Sequence, residues 1–122
     1  MTDVLIVEDE SGLRGTLEEV LRGAGHTVET AGGGAEALAL SRRFAPELLI
    51  SDWALGTPPD GLELIDQMRT QRPGLKVILM TAYSSTGLKA WADANRSCGL
   101  LEKPFSLSDF RALVARILDG AT

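Results

Sequence analysis

Short, uninterrupted apolar runs alternate along this sequence with longer amphipathic stretches, and this alternation limits the possible folds more than any other property. Residues 4–7 read Val-Leu-Ile-Val, and residues 77–80 read Val-Ile-Leu-Met. Strands that are apolar at every position, rather than at every second one, indicate a sheet that is covered on both faces. With two less apolar runs included, strands are predicted at residues 4–7, 27–31, 48–50, 77–80 and 99–102.

The stretches between these runs carry apolar residues at helical spacing. Leu13, Leu17 and Leu21 recur at every fourth position, so they share one face of a helix. Ser106, followed three residues later by Asp109, is a typical N-cap for the last helix. Helices are predicted at residues 13–24, 35–44, 61–71, 86–95 and 107–118.

Strands that alternate with helices require right-handed crossover connections and a parallel sheet. Five strands in 122 residues fit an α/β, flavodoxin-like, doubly wound parallel sheet with strand order 2-1-3-4-5 and five helices. This length corresponds to about one domain, and no internal repeat or linker interrupts the sequence. We therefore predict a single domain over residues 1–122.

The composition excludes several classes of protein. The single cysteine, Cys98, has no partner for an internal disulfide and excludes a multi-cysteine zinc site. The formal net charge of −5 disfavours a broad face that binds nucleic acid or anionic lipid. No apolar run approaches the roughly 18 residues of a membrane helix, and the first residues lack the basic start of a signal peptide. The sequence predicts a cytoplasmic protein without direct nucleic-acid or membrane contact.

Polar residues follow four of the predicted strands, at the point where each strand ends. Three acids at residues 8–10 follow strand one, Asp52 follows strand three, Thr81 follows strand four and Lys103 follows strand five. Strands one, three, four and five are neighbours in the predicted order. Ligands of open α/β sheets bind beyond the carboxyl ends of the strands, at the switch point of the strand order. We therefore expect these side chains to meet at one edge of the sheet.

The residue types at this edge suit phosphoryl transfer. Three carboxylates, those of Glu8, Asp9 and Asp52, would repel one another unless a cation lies among them, and Mg²⁺ prefers such oxygen ligands. Lys103 supplies a compact positive charge for a phosphoryl oxygen, and the Thr81 hydroxyl is a further donor. Positioning and charge neutralisation are what phosphoryl transfer requires. The sequence therefore predicts Asp52 as a nucleophile that forms an acyl phosphate.

Four segments resemble the motifs of the response-regulator receiver domains of two-component signalling. They are Val-Leu-Ile-Val-Glu-Asp-Glu at residues 4–10, Leu-Ile-Ser-Asp at 49–52, Met-Thr-Ala at 80–82 and Leu-Glu-Lys-Pro-Phe at 101–105. Each motif alone is short, but all four occur in the family's order and at the predicted strand ends. The resemblance covers essentially the whole chain.

The resemblance assigns roles to individual residues. Asp52 corresponds to the phosphoacceptor, Asp9 to the acid that binds Mg²⁺ directly, and Glu8 to the acid that binds it through water. The backbone carbonyl of Ala54 corresponds to the third protein ligand. Thr81 and Lys103 correspond to the pair that contacts the phosphoryl group, and the family pattern implies a cis peptide bond before Pro104.

The resemblance also implies how the domain would work. A histidine kinase or a phosphotransfer protein would phosphorylate Asp52, and slow self-dephosphorylation would remove the group, so the domain would catalyse only its own modification. Thr81 would move toward the phosphoryl oxygens and shift an equilibrium between two states. A partner, an output domain or a second copy is expected on the face formed by helix four, strand five and helix five, which includes Leu88, Trp91 and Leu100.

Three segments depart from the family pattern. Leu100 occupies a position that is usually aromatic, so the usual aromatic switch rotation is not available. In the loop after strand three, Gly56 replaces a usual proline and the Asp-Gly pair at residues 60–61 comes one residue late. Residues 96–97, Arg-Ser, replace a small Gly-Ala pair. Leu100 and the altered loop after Asp52 leave open an alternative, a protein-binding module with the same fold that works independently of phosphorylation.

Other residues have simpler interpretations. An enzyme with an aspartyl nucleophile, such as a small phosphatase, usually carries a second acid at the position of Ala54. Tyr83 either gates access to the phosphoryl group or is a half-buried surface aromatic residue. Trp53 is placed to shield the site or to report on it, and Trp91 is expected to pack against the fold rather than to contact a partner. His26, which has no second ligand or nucleophile partner, is expected to be structural or solvated.

Overall fold

The fold is a five-stranded parallel sheet. The computed structural model describes residues 2–56, 58–83, 85–94 and 98–119. The strands are β1 (Asp3–Val7), β2 (Thr27–Ala31), β3 (Leu48–Asp52), β4 (Lys76–Thr81) and β5 (Cys98–Glu102). All neighbouring strands are parallel, and their order across the sheet is β2-β1-β3-β4-β5. The predicted fold class and strand order are confirmed.

Helices cover both faces of the sheet. On one face lie α1 (Ser11–Gly23) and α5 (Leu107–Leu118), and on the other lie α2 (Gly34–Ser41), α3 (Gly61–Gln71) and α4 (Thr86–Ala94). Because both faces are covered, side chains on either side of a central strand are buried, which explains the continuous apolar runs. Among the described residues, no helix combines the length and the apolar character needed to cross a bilayer.

Each face has its own apolar core. Leu17 and Leu21 of the predicted α1 stripe are buried beside Phe110 and Val114 of α5. The opposite core is formed by residues of α2, α3 and α4 against the other side of the strands. The sheet is therefore packed against helices on both faces, and this packing fixes the positions of its strand ends relative to one another.

Side-chain caps begin several of the helices. The Glu10 carboxylate accepts hydrogen bonds from the backbone N–H groups of Gly12 and Leu13, at 2.9 and 2.6 Å, and so caps α1. Asp60 forms a capping box with Glu63 at the start of α3. The predicted cap of α5 is confirmed, since Ser106 accepts a hydrogen bond from the Asp109 N–H.

Some predicted boundaries and positions differ from the structure. The predicted helix at residues 35–44 runs from Gly34 to Ser41 instead. It ends in a turn in which the Phe44 N–H still donates to the Leu40 carbonyl, and Pro46 disfavours a helical conformation at the residue before it. Leu88, expected on a docking face, is only 6% exposed and packs in the core. Asn95 at the predicted end of α4, the Arg-Ser pair at 96–97 and Thr57 lie outside the described residues.

Candidate functional site

Three carboxylates meet at the carboxyl edge of the sheet. One oxygen from each of Glu8, Asp9 and Asp52 lies within 4.8 Å of the others. Glu8 is fully buried and Asp52 is 8% exposed, whereas Asp9 is exposed. Glu8 and Asp9 follow β1, and Asp52 is the last residue of β3, which pairs with β1. The strand pairing thus brings together the three acids that the sequence analysis selected, and the cluster opens to solvent on the side of Asp9.

Lys103 connects two of these acids. Its ammonium nitrogen Nζ donates to Glu8 Oε1 at 2.6 Å and to Asp52 Oδ2 at 3.0 Å. Its backbone N–H donates to the Thr81 carbonyl at 2.7 Å, which fixes the residue at the ends of β4 and β5. Burial lowers the Lys103 pKa, but the hydrogen bonds with Glu8 and Asp52 outweigh it, so the pKa lies above its ordinary value. Lys103 is therefore charged over the whole physiological range.

Glu8 is held by backbone contacts as well as by Lys103. Its Oε2 accepts a hydrogen bond from the Glu10 N–H at 3.0 Å, and its carbonyl accepts one from the Arg14 guanidinium at 2.7 Å. Burial raises the Glu8 pKa, and the neighbouring carboxyls of Asp9 and Asp52 raise it further, whereas the bond with Lys103 lowers it. The site therefore resists the accumulation of negative charge, which favours a bound cation.

The Thr81 hydroxyl is bonded locally rather than to the acids. Thr81 is 1% exposed at the end of β4. Its Oγ1 accepts a hydrogen bond from the Tyr83 N–H at 3.0 Å and donates to the Tyr83 carbonyl at 3.2 Å. A phosphoryl group on Asp52 would therefore compete with Tyr83 for this hydroxyl.

The loop after Asp52 is anchored at both ends. The Trp53 N–H donates to the Met80 carbonyl at 2.7 Å, and the Gly61 N–H donates to the Trp53 carbonyl at 3.1 Å. A Cβ at Gly61 would lie 2.5 Å from the Asp52 carbonyl oxygen, so this return of the chain requires glycine. Ala54 is exposed within the loop, two residues after Asp52. The predicted cis peptide bond before Pro104 is confirmed.

Aromatic side chains border the site on the side of α4. Trp53, Tyr83 and Trp91 line a cavity of about 380 Å³ between α3 and α4. Tyr83 is 86% exposed, so it is not a half-buried surface residue. Trp53 and Trp91 are partly buried and pack against the core, as expected for Trp91.

Two contacts of the site were not found from the sequence. Arg14 supports the backbone of Glu8 from the second turn of α1, and only the tertiary structure shows that contact. Glu10 belongs to the acidic triplet but caps α1, and its position directly before the helix was the available indication. The backbone hydrogen bonds from Leu13 and Gly12 lower the Glu10 pKa.

A flavodoxin-like sheet with an acidic, lysine-bridged pocket at its carboxyl edge defines a class of receiver-like α/β domains. Residues 4–115 match the family described as the response regulator receiver domain. The chain belongs to this family and is a receiver domain of two-component signalling, as predicted. Receiver domains are signalling modules of response regulators.

Several transcriptional regulators are similar to this chain. The DNA-binding transcriptional regulator NtrC of Escherichia coli K12 is 37% identical over 115 residues, an alignment that covers 94% of this chain and 24% of NtrC. The probable transcriptional regulatory protein TcrX of Mycobacterium tuberculosis is 36% identical, with 93% of this chain and 50% of TcrX covered. The chain thus spans about a quarter of the length of NtrC and half that of TcrX.

Solved receiver structures are also similar. The non-phosphorylated receiver domain of HemR from Leptospira biflexa matches with a TM-score of 0.87 and 27% identity, over 97% of this chain and 94% of that one. The chemotaxis protein CheY4 of Vibrio cholerae matches with a TM-score of 0.85 and 29% identity, over 96% of this chain and 98% of that one.

Proposed function

We propose that the protein is a single receiver domain that accepts a phosphoryl group on Asp52. The observation that carries the proposal is the position of Asp52, 3.0 Å from the Lys103 ammonium and within a cluster of three carboxylates. In the transfer, an Asp52 carboxylate oxygen forms a bond to phosphorus while the bond from phosphorus to a donor imidazole nitrogen breaks. The imidazole leaves with the electron pair. The donor would be the phosphohistidine of a histidine kinase or of a phosphotransfer protein.

The donor set of the pocket fits Mg²⁺. Asp9 and Asp52 would hold the ion directly, Glu8 through water, and the Ala54 carbonyl would complete the protein ligands. Carboxylates with an open, solvent-facing side are what Mg²⁺ prefers, because it retains several waters. When bound, the ion would neutralise negative charge on the phosphoryl oxygens during transfer and hydrolysis.

Lys103 and Thr81 would act on the phosphorylated form. The Lys103 ammonium, already within hydrogen-bond distance of Asp52, would donate to a phosphoryl oxygen. Thr81 would exchange its bonds with the Tyr83 backbone for another phosphoryl oxygen. Each exchange stabilises one of two conformations of the chain, so phosphorylation shifts their populations.

The face formed by α4, β5 and α5 would transmit this shift. Trp91 and Leu100 are partly buried there and remain accessible to a partner, an output domain or a second copy. Leu88 supports the face from inside, where it is buried. Lys103 directly follows β5, so the strand in the middle of this face carries one of the groups that contacts Asp52.

Intact-mass spectrometry after incubation with acetyl phosphate and Mg²⁺ tests the proposal. The protein should gain the mass of one phosphoryl group, Asp52→Asn should gain none, and EDTA should prevent the gain. Asp66→Asn removes an exposed carboxylate from α3 and serves as the matched control, which should be modified like the wild type. Absence of the gain in the wild type would contradict the proposal and favour the phosphorylation-independent binding module.

A further inference from the structure

The loop between β3 and α3, residues 53–60, is in contact with the start of α2. Gly34, the first residue of α2, is buried against Pro59 near the end of this loop. A Cβ built on Gly34 would lie 2.1 Å from the Pro59 carbonyl oxygen and 2.9 Å from its Cγ and Cδ atoms. Non-bonded heavy atoms normally lie about 3.5–4.0 Å apart. Pro59 can therefore lie this close to α2 only because residue 34 has no side chain.

The contact supports the loop close to its second anchor, the Gly61 N–H that donates to the Trp53 carbonyl. The loop begins at Trp53, which is hydrogen-bonded to β4, and Leu55 is buried beneath it. Beyond Leu55, Gly56 and Pro58 are exposed, and the chain meets the fold again where Pro59 lies against Gly34. Two residues after Pro59, the Gly61 N–H donates to the Trp53 carbonyl, which belongs to the peptide group that precedes Ala54. The position of Pro59 therefore bears on that of Ala54 through this bond.

We propose that Gly34 is a positioning residue for the metal site, because it admits Pro59 against α2 and so holds the loop that presents the Ala54 carbonyl. The proposal rests on the function proposed above, in which Ala54 supplies a ligand. Mg²⁺ demands near-ideal octahedral geometry, with ligands at about 2.0–2.1 Å. A displaced carbonyl therefore weakens binding even when the three carboxylates keep their positions. Gly34 itself contacts neither the metal nor the phosphoryl group.

A side chain at position 34 would displace the loop rather than the helix. α2 is fixed in the core by Ala37 and Leu40, which are 0% and 7% exposed. Pro59 is only half-buried, so the loop can give way at a smaller loss of packing. Among the described residues, Gly25 is the only glycine with a positive φ, so the backbone of Gly34 is one that alanine can adopt. Alanine therefore adds only a steric conflict with Pro59.

Isothermal titration with magnesium chloride tests the proposal in three proteins: wild type, Gly34→Ala and Gly56→Ala. Gly56 lies in the same loop, and a Cβ there would have no atom within 4 Å, so it is the matched control. Supporting groups around a metal typically change its affinity about 10- to 100-fold. We expect Gly34→Ala to raise the dissociation constant about tenfold and Gly56→Ala to leave it unchanged. Circular dichroism at the same temperature verifies that each variant is folded.

A second variant changes the loop side of the contact between Gly34 and Pro59. Pro59→Ala removes the ring atoms Cγ and Cδ that lie against Gly34 and frees the backbone torsion that the ring fixes, so it loosens the loop at this contact and should weaken Mg²⁺ binding even if Gly34→Ala does not fold. If the wild type binds Mg²⁺, and Gly34→Ala and Pro59→Ala are folded and bind it equally well, the role of Gly34 is overturned. The proposed function then remains intact. Equal weakening by Gly56→Ala would also overturn it. A wild type that binds no Mg²⁺ would overturn both proposals.

Discussion

Lys103 and Glu8 are 95 residues apart in the sequence and form an ion pair of 2.6 Å between Nζ and Oε1. The Glu8 side chain is fully buried, whereas that of Lys103 is 22% exposed. A buried carboxylate without a partner is costly. Removal of Lys103 alone therefore costs stability, in addition to its effect on the chemistry proposed for Asp52.

Lys103→Met should destabilise the fold at neutral pH by about 2 kcal/mol, because it leaves the Glu8 carboxylate buried without a cation. Chemical denaturation at pH 7 without divalent ions measures the change. Lys89→Met is the matched control: its pair with Glu102 is 3.8 Å long and more than half exposed, so about 0.5 kcal/mol or less should be lost.

The loss in Lys103→Met should depend on pH. The pKa of Glu8 in the fold lies above its ordinary value of 4.5, because burial disfavours the charged form. A carboxyl group whose folded-state pKa is raised destabilises the fold above that pKa, and the cost disappears as the pH falls toward the unfolded value. Removing Lys103 raises the Glu8 pKa further, so the deficit should be largest at pH 7 and shrink toward pH 4.5. A deficit that does not vary with pH would contradict this explanation.

Asp9→Asn should raise stability in the absence of Mg²⁺. Asp9 is exposed, and its carboxylate belongs to a cluster whose oxygens lie within 4.8 Å. Two unit charges at about 4 Å repel by about 1 kcal/mol in water, which corresponds to a rise in melting temperature of about 4 °C for a domain of this size. Added Mg²⁺ should stabilise the wild type and the control Asp66→Asn, but not Asp9→Asn. Equal stabilisation of all three would exclude Asp9 as a ligand.

Thr81→Val should slow the phosphorylation of Asp52 by acetyl phosphate roughly 10- to 100-fold, the value of one hydrogen bond to a charged group. Valine keeps the shape of the side chain but cannot donate to a phosphoryl oxygen. Thr81→Ser keeps the hydroxyl and should retain most of the wild-type rate. The time course of the mass gain measures both variants, and a Thr81→Val rate equal to that of the wild type would remove Thr81 from the proposed mechanism.

Glu10→Ala should lower the melting temperature without changing Mg²⁺ affinity, because Glu10 caps α1 and is not part of the acidic cluster. Backbone hydrogen bonds lower its pKa, so its contribution to stability is present above the ordinary value of 4.5 and is lost as the pH falls through the folded-state pKa. The difference from the wild type should therefore disappear in acid. Glu19→Ala, at an exposed position of the same helix, should change the melting temperature little at either pH.

Much of the fold could be predicted because local patterns and tertiary packing agree. The predicted strand at Thr27–Ala31 and the predicted helix at Gly61–Gln71 have the observed bounds. α2 ends at Ser41, three residues before the predicted end. The prediction was too long because Phe44 continues the apolar pattern of the helix although the backbone there is no longer helical. Leu88 was placed on the wrong side of α4 because a short helix with apolar residues on several sides does not identify its buried face.

The candidate site could be predicted to the level of residues, but not of bonds. Parallel strand ends bring Glu8, Asp9, Asp52 and Lys103 together, and the strand order alone implies that meeting. The direction of the Thr81 hydroxyl depends on the backbone of Tyr83, which no sequence pattern specifies. The contact between Gly34 and Pro59 likewise joins the start of α2 to the loop before α3, and their approach is set by the packing of α2.

Lys103 is the first residue after β5, which is the outermost strand of the sheet on its side. A change of charge at Asp52 therefore acts directly on Lys103, which is covalently joined to the edge strand β5 between α4 and α5. The effect on that outer surface requires no intervening side chains, because Asp52 and Lys103 are already joined by a hydrogen bond.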